Sequence, residues 1–324
     1  NVFDYYTVGD ELGRGAYARV HKAVNRQSGE TVAIKFIDKR RFKLVPGFDV
    51  DGLLREAEVL KKLHSPYIIT LHDVFQTDDE LAIVTEYVSG GELYYRVAKR
   101  PYSEPDAKKL MMRLFLAVRH LHDRNIVHRD IKPENILIAS PADDTMVKLA
   151  DFGVAKTLGY DGLKTYVGSP LYFAPEVLRR KNTVHGLGRY GMGADMWSLG
   201  VVMYIVLSSL PPFDDATLAR HMENVPFDFS HKRWRGVSED AKDLIRGMLN
   251  SDENARLTIK EAMAHRWLSG VVVDDAADGG AAAAALRAAT AATTAGDDAD
   301  EGGAGGGAAA TEVKKAKKAK KEKK

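Results

Sequence analysis

The most constraining stretch of this chain is His128-Arg129-Asp130-Ile131-Lys132-Pro133-Glu134-Asn135. It sets a carboxylate, a cation and an amide within eight residues, and Pro133 stiffens the middle. An Asp can accept a hydroxyl proton. A Lys two residues on can sit against an oxygen that gains negative charge, and an Asn five residues after the Asp can reach a metal ion. Transfer of a phosphoryl group to an alcohol needs this set, because the protein's part in that chemistry is positioning and charge balance. A bare His-Arg-Asp tripeptide would mean little. The full stretch is far more specific, and its meaning depends on matching motifs standing elsewhere in the right order.

The 324 residues are 45% hydrophobic and 28% charged, enough apolar material for a sizeable core in one or two lobes. The absence of cysteine excludes disulfides, thiol catalysis and most structural zinc sites, and suits a reducing compartment, cytosol or nucleus. No signal-peptide pattern opens the chain, and the start at Asn1 rather than Met suits a piece of a longer protein. The longest apolar run, near Leu199–Leu207, is too short for a bilayer and reads as a buried helix, so no membrane partner is expected. The net charge of +2 hides an asymmetry: Lys314–Lys324 holds eight lysines and one glutamate, +7, which leaves −5 for the rest.

Taken in order, Tyr6–Leu12 alternates loosely and leads into Gly13-Arg14-Gly15-Ala16-Tyr17-Ala18-Arg19-Val20. Glycines between two strands let backbone N–H groups approach phosphates, although a tight hairpin is the commoner meaning. A dinucleotide fold would need a helix straight after them, and the β-rich Val20–Val24 and Thr31–Ile37 follow instead. Thr31-Val32-Ala33-Ile34-Lys35 reads as a buried strand whose Lys either snorkels out or meets phosphates. Leu53–Leu60 reads as an amphipathic helix that offers Lys35 a partner. Glu56 shares a face with Leu60 and is chosen over Glu58. Asp49-Val50-Asp51-Gly52 is discounted as a calcium loop because its Gly is misplaced. Ile68–Phe75 and Leu81–Tyr87 alternate like strands, and Ser89-Gly90-Gly91 breaks into a connector. Pro105–His122 is helical, with a start signal at Ser103 or Glu104. His120 and His122 point to different faces of it, so packing is favoured over metal binding. Asn135–Ile138 and Val147–Leu149 read as strands around the turn Ser140–Thr145, and Asp151-Phe152-Gly153 follows. Asp151, set beside Asn135, would give a hard cation such as Mg2+ its oxygen ligands. Trp197, Trp234 and Trp267 read as core residues.

The Gly-rich loop, Lys35, Glu56, His128–Asn135, Asp151–Gly153, Ala174-Pro175-Glu176, Asp195 and Arg256 together resemble the protein kinase family over roughly Tyr5–Leu268. The resemblance implies an α+β bilobal fold: a small antiparallel-sheet N-lobe with one helix (1–88) and a larger, mainly helical C-lobe (89–269). Beyond them lies an Ala/Gly-rich tail ending in the Lys run (270–324). It implies ATP and Mg2+ as cofactors. Leu12, Gly13, Gly15, Val20, Ala33, Lys35, Thr85, Glu86, Val88, Glu92 and Leu137 would surround the nucleotide. Val20, Ala33 and Leu137 would sandwich adenine, Thr85 would guard the back of its pocket, and Glu86 and Val88 would present backbone to it. Asp130, Lys132, Lys35 and Glu56 would be catalytic, with Asn135 and Asp151 on the metal. Arg256 would pair with Glu176, and Asp195 would cap toward the catalytic loop. Lys132 after Asp130 resembles Ser/Thr kinases, and Ser169 keeps a hydroxyl where that class usually has Thr. Thr165 would be an activating phosphosite read by Arg129 and Lys156, phosphorylated by an upstream kinase or by the chain itself.

Val88–Leu93 and Tyr204–Phe213 resemble the calcium/calmodulin-dependent group, and within it the checkpoint kinases that carry a forkhead-associated domain. The basic, bulky-hydrophobic helix that calmodulin binds is missing after the core, so calcium control is not expected. The substrates implied are proteins with Ser or Thr and an Arg three positions upstream, read by Glu92 and Glu134. Ile205 stands where some basophilic kinases place a third carboxylate, so a double-Arg requirement is not expected. The globular part is expected to end near Leu268, and the segment from Val271 lacks apolar side chains to offset chain entropy. The Lys run reads either as a solvated tail or as a nuclear address with weak, sequence-blind nucleic-acid contact, so nuclear and cytoplasmic locations are both expected. A pseudokinase scaffold should lack one of Lys35, Asp130, Asn135 or Asp151, and all four are present.

Overall fold

A computed structural model describes residues 1–15, 18–42, 54, 57, 60–61, 63–152, 156–157, 170–179, 191–213 and 227–273, with the main chain alone at 42, 156, 157, 170 and 179. Five antiparallel strands, β1 (Tyr6–Arg14), β2 (Ala18–Asn25), β3 (Thr31–Asp38), β4 (Leu71–Gln76) and β5 (Glu80–Glu86), form one sheet in the order β1-β2-β3-β5-β4. The two-residue period of β3 divides its labour. Val32, Ile34 and Phe36 are buried, and they cluster with Val84 of β5 and with Val2 and Tyr6 at the N-terminus. A short helix α1 (Val2–Tyr5), closed by a capping box from Asn1 and Asp4, brings Val2 into that cluster. Ala33 and Lys35 fall on the opposite face, in register with Thr85 and Ile83 of β5, while Val20 of β2 stands across from Lys35. One face is core and the other faces the lobe below. Beyond β3 lies α2 (Lys39–Phe42).

The expected strand from Ile68 begins instead at Leu71. Ile68 bridges in parallel to Leu149, Ile69 N–H donates to the Leu149 carbonyl at 2.9 Å, and Leu149 N–H to that of Tyr67 at 2.8 Å. Tyr67, Ile68 and Ile69 are buried in the C-lobe core, so this segment joins the lobes. The connector after β5 is equally tight. A Cβ on Gly90 would lie 2.4 Å from the Ile138 carbonyl oxygen, and Gly91 takes a φ of +76°, so both positions call for glycine.

The C-lobe packs around α4 (Glu104–His122) and α6 (Met192–Ser208), with α3 (Leu93–Lys99), α5 (Pro175–Arg179), α7 (Glu239–Met248) and α8 (Ile259–Met263) around them. Ser103 caps α4 as the start signal required, and α6, apolar all round, is buried over nearly its whole length. Trp197, Trp234 and Trp267 are core residues. A hairpin of β7 (Ile136–Ser140) and β8 (Asp143–Leu149) follows the His128–Asn135 stretch. Its turn is shorter than expected, because Asp143 accepts from both the amide and the hydroxyl of Thr145 and so draws these residues into β8. Among the described residues no helix is long and apolar enough to cross a membrane.

Arg256 and Glu176 form the pair that the family resemblance implied, bidentate at 2.7 and 2.9 Å. The guanidinium also donates to the carbonyls of Gly193 and Asn250 and lies over the Trp197 ring. Its side chain is 0% exposed and that of Glu176 11%, so removing either partner strands a charge. Arg256→Ala is expected to lose about 3–5 kcal/mol in urea unfolding, and Arg256→Met combined with Glu176→Leu to recover part of it. A loss in the single variant below about 1 kcal/mol, the ceiling for exposed pairs, would mean that water reaches the pair.

Candidate active site

His128–Asn135 spans the gap between β6 (Ile126–Val127) and β7. β6 pairs with β9 (Lys156–Thr157), so the loop is strung between two small sheets. Its shape is held from beneath by Asp195 of α6. The carboxylate accepts from the amides of His128 and Arg129, each at 2.9 Å, and from His122 Nε2 at 3.0 Å. Arg129 needs this hold because its φ is +74°, in the left-handed region that side chains avoid. Asp195 is fully buried. Burial pushes its carboxyl up, but the bond from His122 and that from the Arg129 amide outweigh this and leave it below the usual range. Ile131 and Pro133 anchor the far half of the loop by burial.

These supports gather the polar groups on one carboxylate. Lys132 Nζ lies 3.0 and 2.8 Å from the two oxygens of Asp130, and Asn135 Nδ2 donates to Asp130 Oδ2 at 2.7 Å and to its carbonyl at 2.8 Å. With its amide nitrogen committed twice, Asn135 leaves its side-chain oxygen as the acceptor for a cation. Asp151 sits at φ +57°, a second left-handed residue, and accepts from Lys35 Nζ at 2.6 Å. That contact brings β3 of the N-lobe onto the segment after β8. Lys35, Asp130, Lys132, Asn135 and Asp151 thus converge from positions far apart in the chain. The described residues hold no cluster of three or more His, Cys, Asp or Glu suited to a metal. One carboxylate and one amide oxygen are a fitting donor set for Mg2+, which keeps few protein ligands and takes phosphate oxygens for the rest.

Of the residues expected around a nucleotide, Val20, Ala33 and Thr85 lie on the sheet, Leu137 lies on β7, and Leu12 is more exposed on β1. Gly13 pairs with Val20, and Gly15 N–H donates to the Ala18 carbonyl at 2.8 Å, closing the neck of the Gly-rich loop. Glu86 turns its carboxylate away from this face, accepting from the Thr70 amide and from Lys148 Nζ, both at 2.8 Å, and Val88 packs on the C-lobe core. Glu92 forms a bridge with Leu137. Burial, then the nearby Glu134 charge, pushes its carboxyl up. Glu134 Oε2 is buried without a hydrogen-bond partner among the described residues. Glu56 and its rival Glu58, Gly153, Thr165, Tyr166, Ser169, the side chains of Lys156 and Thr157, and the tail from residue 274 lie outside the described residues. Sequence reasoning missed the use of His122, read as packing and found on Asp195, and the tie from Lys148 to Glu86; no periodicity signals either.

Residues 6–268 match the family described as the protein kinase domain. The chain is similar to a calcium/calmodulin-dependent protein kinase type 1 of Macrobrachium nipponense, 39% identical over 83% of this chain and 76% of that protein. It is also similar to myosin light chain kinase A of Dictyostelium discoideum, 39% identical over 81% of this chain and 88% of that protein. A third relative, named probable serine/threonine-protein kinase fhkD, from the same organism, is 39% identical over 82% of this chain and 37% of that protein. The broader group likeness agrees with these names. The narrower one to checkpoint kinases finds no support in them.

His128 links the loop to the segment that follows β8. Its Nε2–H donates to the Ala150 carbonyl at 3.1 Å, its Nδ1 accepts the Asp130 amide at 3.3 Å, and its ring meets Phe152 edge-on at 4.7 Å. Burial drives its pKa below the ordinary 6.5, against the pull of Asp195, Asp130, the Ala150 carbonyl and Asp151. The folded state therefore holds the neutral ring while the unfolded chain takes up a proton as pH falls. Stability is full above about pH 6.5 and declines below it. The urea midpoint of the wild type is expected to drop between about pH 7.5 and 5.5, and that of His128→Phe to drop less, although lower at the start. Parallel declines in the two proteins would show that other groups set the dependence.

Proposed function

The chain belongs to the protein kinase family and is a Ser/Thr protein kinase, and we propose that it transfers the γ-phosphoryl of ATP to basophilic protein substrates through the residues gathered at Asp130. The observation that carries the reading is that gathering: a cation and an amide within 3.0 Å of one carboxylate, on a loop held in a strained shape by Asp195. In this reading Asp130 orients the substrate hydroxyl and takes its proton. Lys132, on the same carboxylate, offsets charge on the transferring group. Lys35 holds the nucleotide phosphates, and Asn135 with Asp151 would hold Mg2+, which when bound neutralises charge on those phosphates. Phosphorylation of Thr165 is the activating step of the same reading, the added charge pairing with Arg129 and Lys156.

Asp130→Asn is expected to cut peptide phosphorylation by roughly 10²–10⁴-fold, the usual worth of a positioned general base, while nucleotide still raises the melting temperature only when Mg2+ is present. Wild-type turnover in that variant would remove Asp130 from the chemistry. In the same assay, Thr165→Ala protein as active as the phosphorylated wild type would remove the activating role.

Substrate choice rests on Glu92 and Glu134. Two carboxylates that repel one another, one with an oxygen buried and unpartnered, are relieved by a guanidinium that donates to both. An Arg three positions before the target is expected to be favoured roughly ten- to a hundredfold, the range for charge-assisted hydrogen bonds. In a positional-scanning peptide library, Glu92→Gln should weaken that selection, and selection untouched by the change would reject the assignment.

A further inference from the structure

The helix that follows Glu92 carries a cation where it would spoil the acidic pair. On α3 the buried seam is Leu93 and Val97, 0% and 3% exposed. Glu92, the N-cap of this helix, and Arg96 share the same four-residue spacing along the flank of that seam. A carboxylate and a cation four residues apart, with the acid nearer the N-terminus, is the pairing that helices favour. Were it formed, Arg96 would fill the seat between Glu92 and Glu134 with a charge of the protein's own.

That pair is not formed. Among the described residues Glu92 has no ion pair and its side chain caps no amide; burial and the Glu134 charge are what bear on its carboxyl. Arg96 is engaged elsewhere. Its Nε donates to Asp144 Oδ2 at 2.5 Å and its Nη1 to the Arg100 carbonyl at 2.8 Å, and the guanidinium lies 4.0 Å over the Tyr102 ring. Asp144 is itself fixed. Its carbonyl accepts from the Tyr102 hydroxyl at 2.7 Å, and the Tyr102 amide donates to the Val206 carbonyl of α6 at 2.9 Å. The neighbouring Asp143 holds Thr145, whose hydroxyl accepts from Arg113 of α4 at 2.5 Å. The far end of the β7–β8 hairpin is thus tied to α4 and α6, and it holds out one carboxylate to α3.

We propose that Asp144 is a positioning residue for substrate choice: by holding Arg96 it keeps an internal cation off Glu92 and leaves the seat to the upstream Arg of the substrate. The inference rests on the acid-pair reading above. Asp144 touches neither substrate nor nucleotide in it. Released, Arg96 turns toward Glu92 and neutralises one of the two carboxylates, so an incoming guanidinium loses part of its charge-assisted bonds. An internal cation also competes at an effective concentration that a free peptide does not reach.

The test compares two peptides that differ only in Arg or Ala three positions before the target Ser. They are assayed with wild type, Asp144→Asn, Arg96→Met and the two changes combined. The wild type is expected to prefer the Arg peptide roughly ten- to a hundredfold in kcat/KM. Asp144→Asn should lose roughly tenfold of that preference, through KM, while turning over the Ala peptide at the wild-type rate. Arg96→Met should keep the preference, and adding it to Asp144→Asn should restore what was lost. A merely structural bond would give no such recovery, since the double variant lacks the bond altogether. Preference unchanged in Asp144→Asn overturns the proposal. So does preference lost in Arg96→Met and not regained in the double variant, which would mean that the bond acts by holding α3 in place. Under either result, a wild-type preference that Glu92→Gln weakens leaves the acid-pair reading standing. No preference for the Arg peptide in the wild type sinks both.

Discussion

Asp195 carries its charge where water does not reach, and the chain pays for that burial with three donors from two other segments. An ionised carboxylate in such a place persists only when its lone pairs are taken up. Here the donors are the amides of His128 and Arg129, so satisfying the charge and shaping the loop are one event. Arg129 accepts a left-handed backbone because the alternative is a buried anion with an empty lone pair. Lys132 and Asn135 then reach the Asp130 carboxylate from the same turn. His128 extends the hold to Ala150, next to the second strained residue, Asp151.

The two lobes meet through contacts of different character. Lys35 and Asp151 form a polar contact at a partly exposed position, one that a bound ligand can rearrange at modest cost. The contacts of Ile68 and Ile69 with Leu149, and the close approach of Gly90 to Ile138, are backbone hydrogen bonds and packing that leave little slack. Lys148 adds a charged tie from β8 to Glu86 at the end of β5. The Lys35–Asp151 contact is therefore the adjustable one, and the connector after β5 is stiff. Glu92 and Glu134 stand just beyond it as an acidic pair that the described residues leave uncompensated.

Much was legible in the sequence because it is local. The strand at Thr31–Lys35, the apolar character of α6 and the start signal at Ser103 each follow from side-chain pattern or from one hydroxyl beside orphan amides. The charged motifs carried the resemblance to the family that residues 6–268 match, and the Arg256–Glu176 pair is what that resemblance implied. Where the local pattern failed, tertiary contacts had overruled it. Ile68–Phe75 reads as one strand, yet the strand starts at Leu71, because Ile68 and Ile69 are buried in the other lobe and their backbone pairs there.

By itself, then, the sequence determined the element types, their order and the residue types available for chemistry, since these depend on period, caps and composition. The resemblance implied that Asp195 reaches the loop and that Arg256 meets Glu176, and the tertiary structure decided the atoms involved and the remaining pairings. Asp195 lies 66 residues from the Arg129 amide it holds, and Lys35 lies 116 residues from Asp151. It also decided that His122 serves a carboxylate rather than the core alone, and that Glu86 turns toward Lys148. Such pairings are set by how buried surfaces stack and by the need of each buried charge for a partner, and neither leaves a period in the chain.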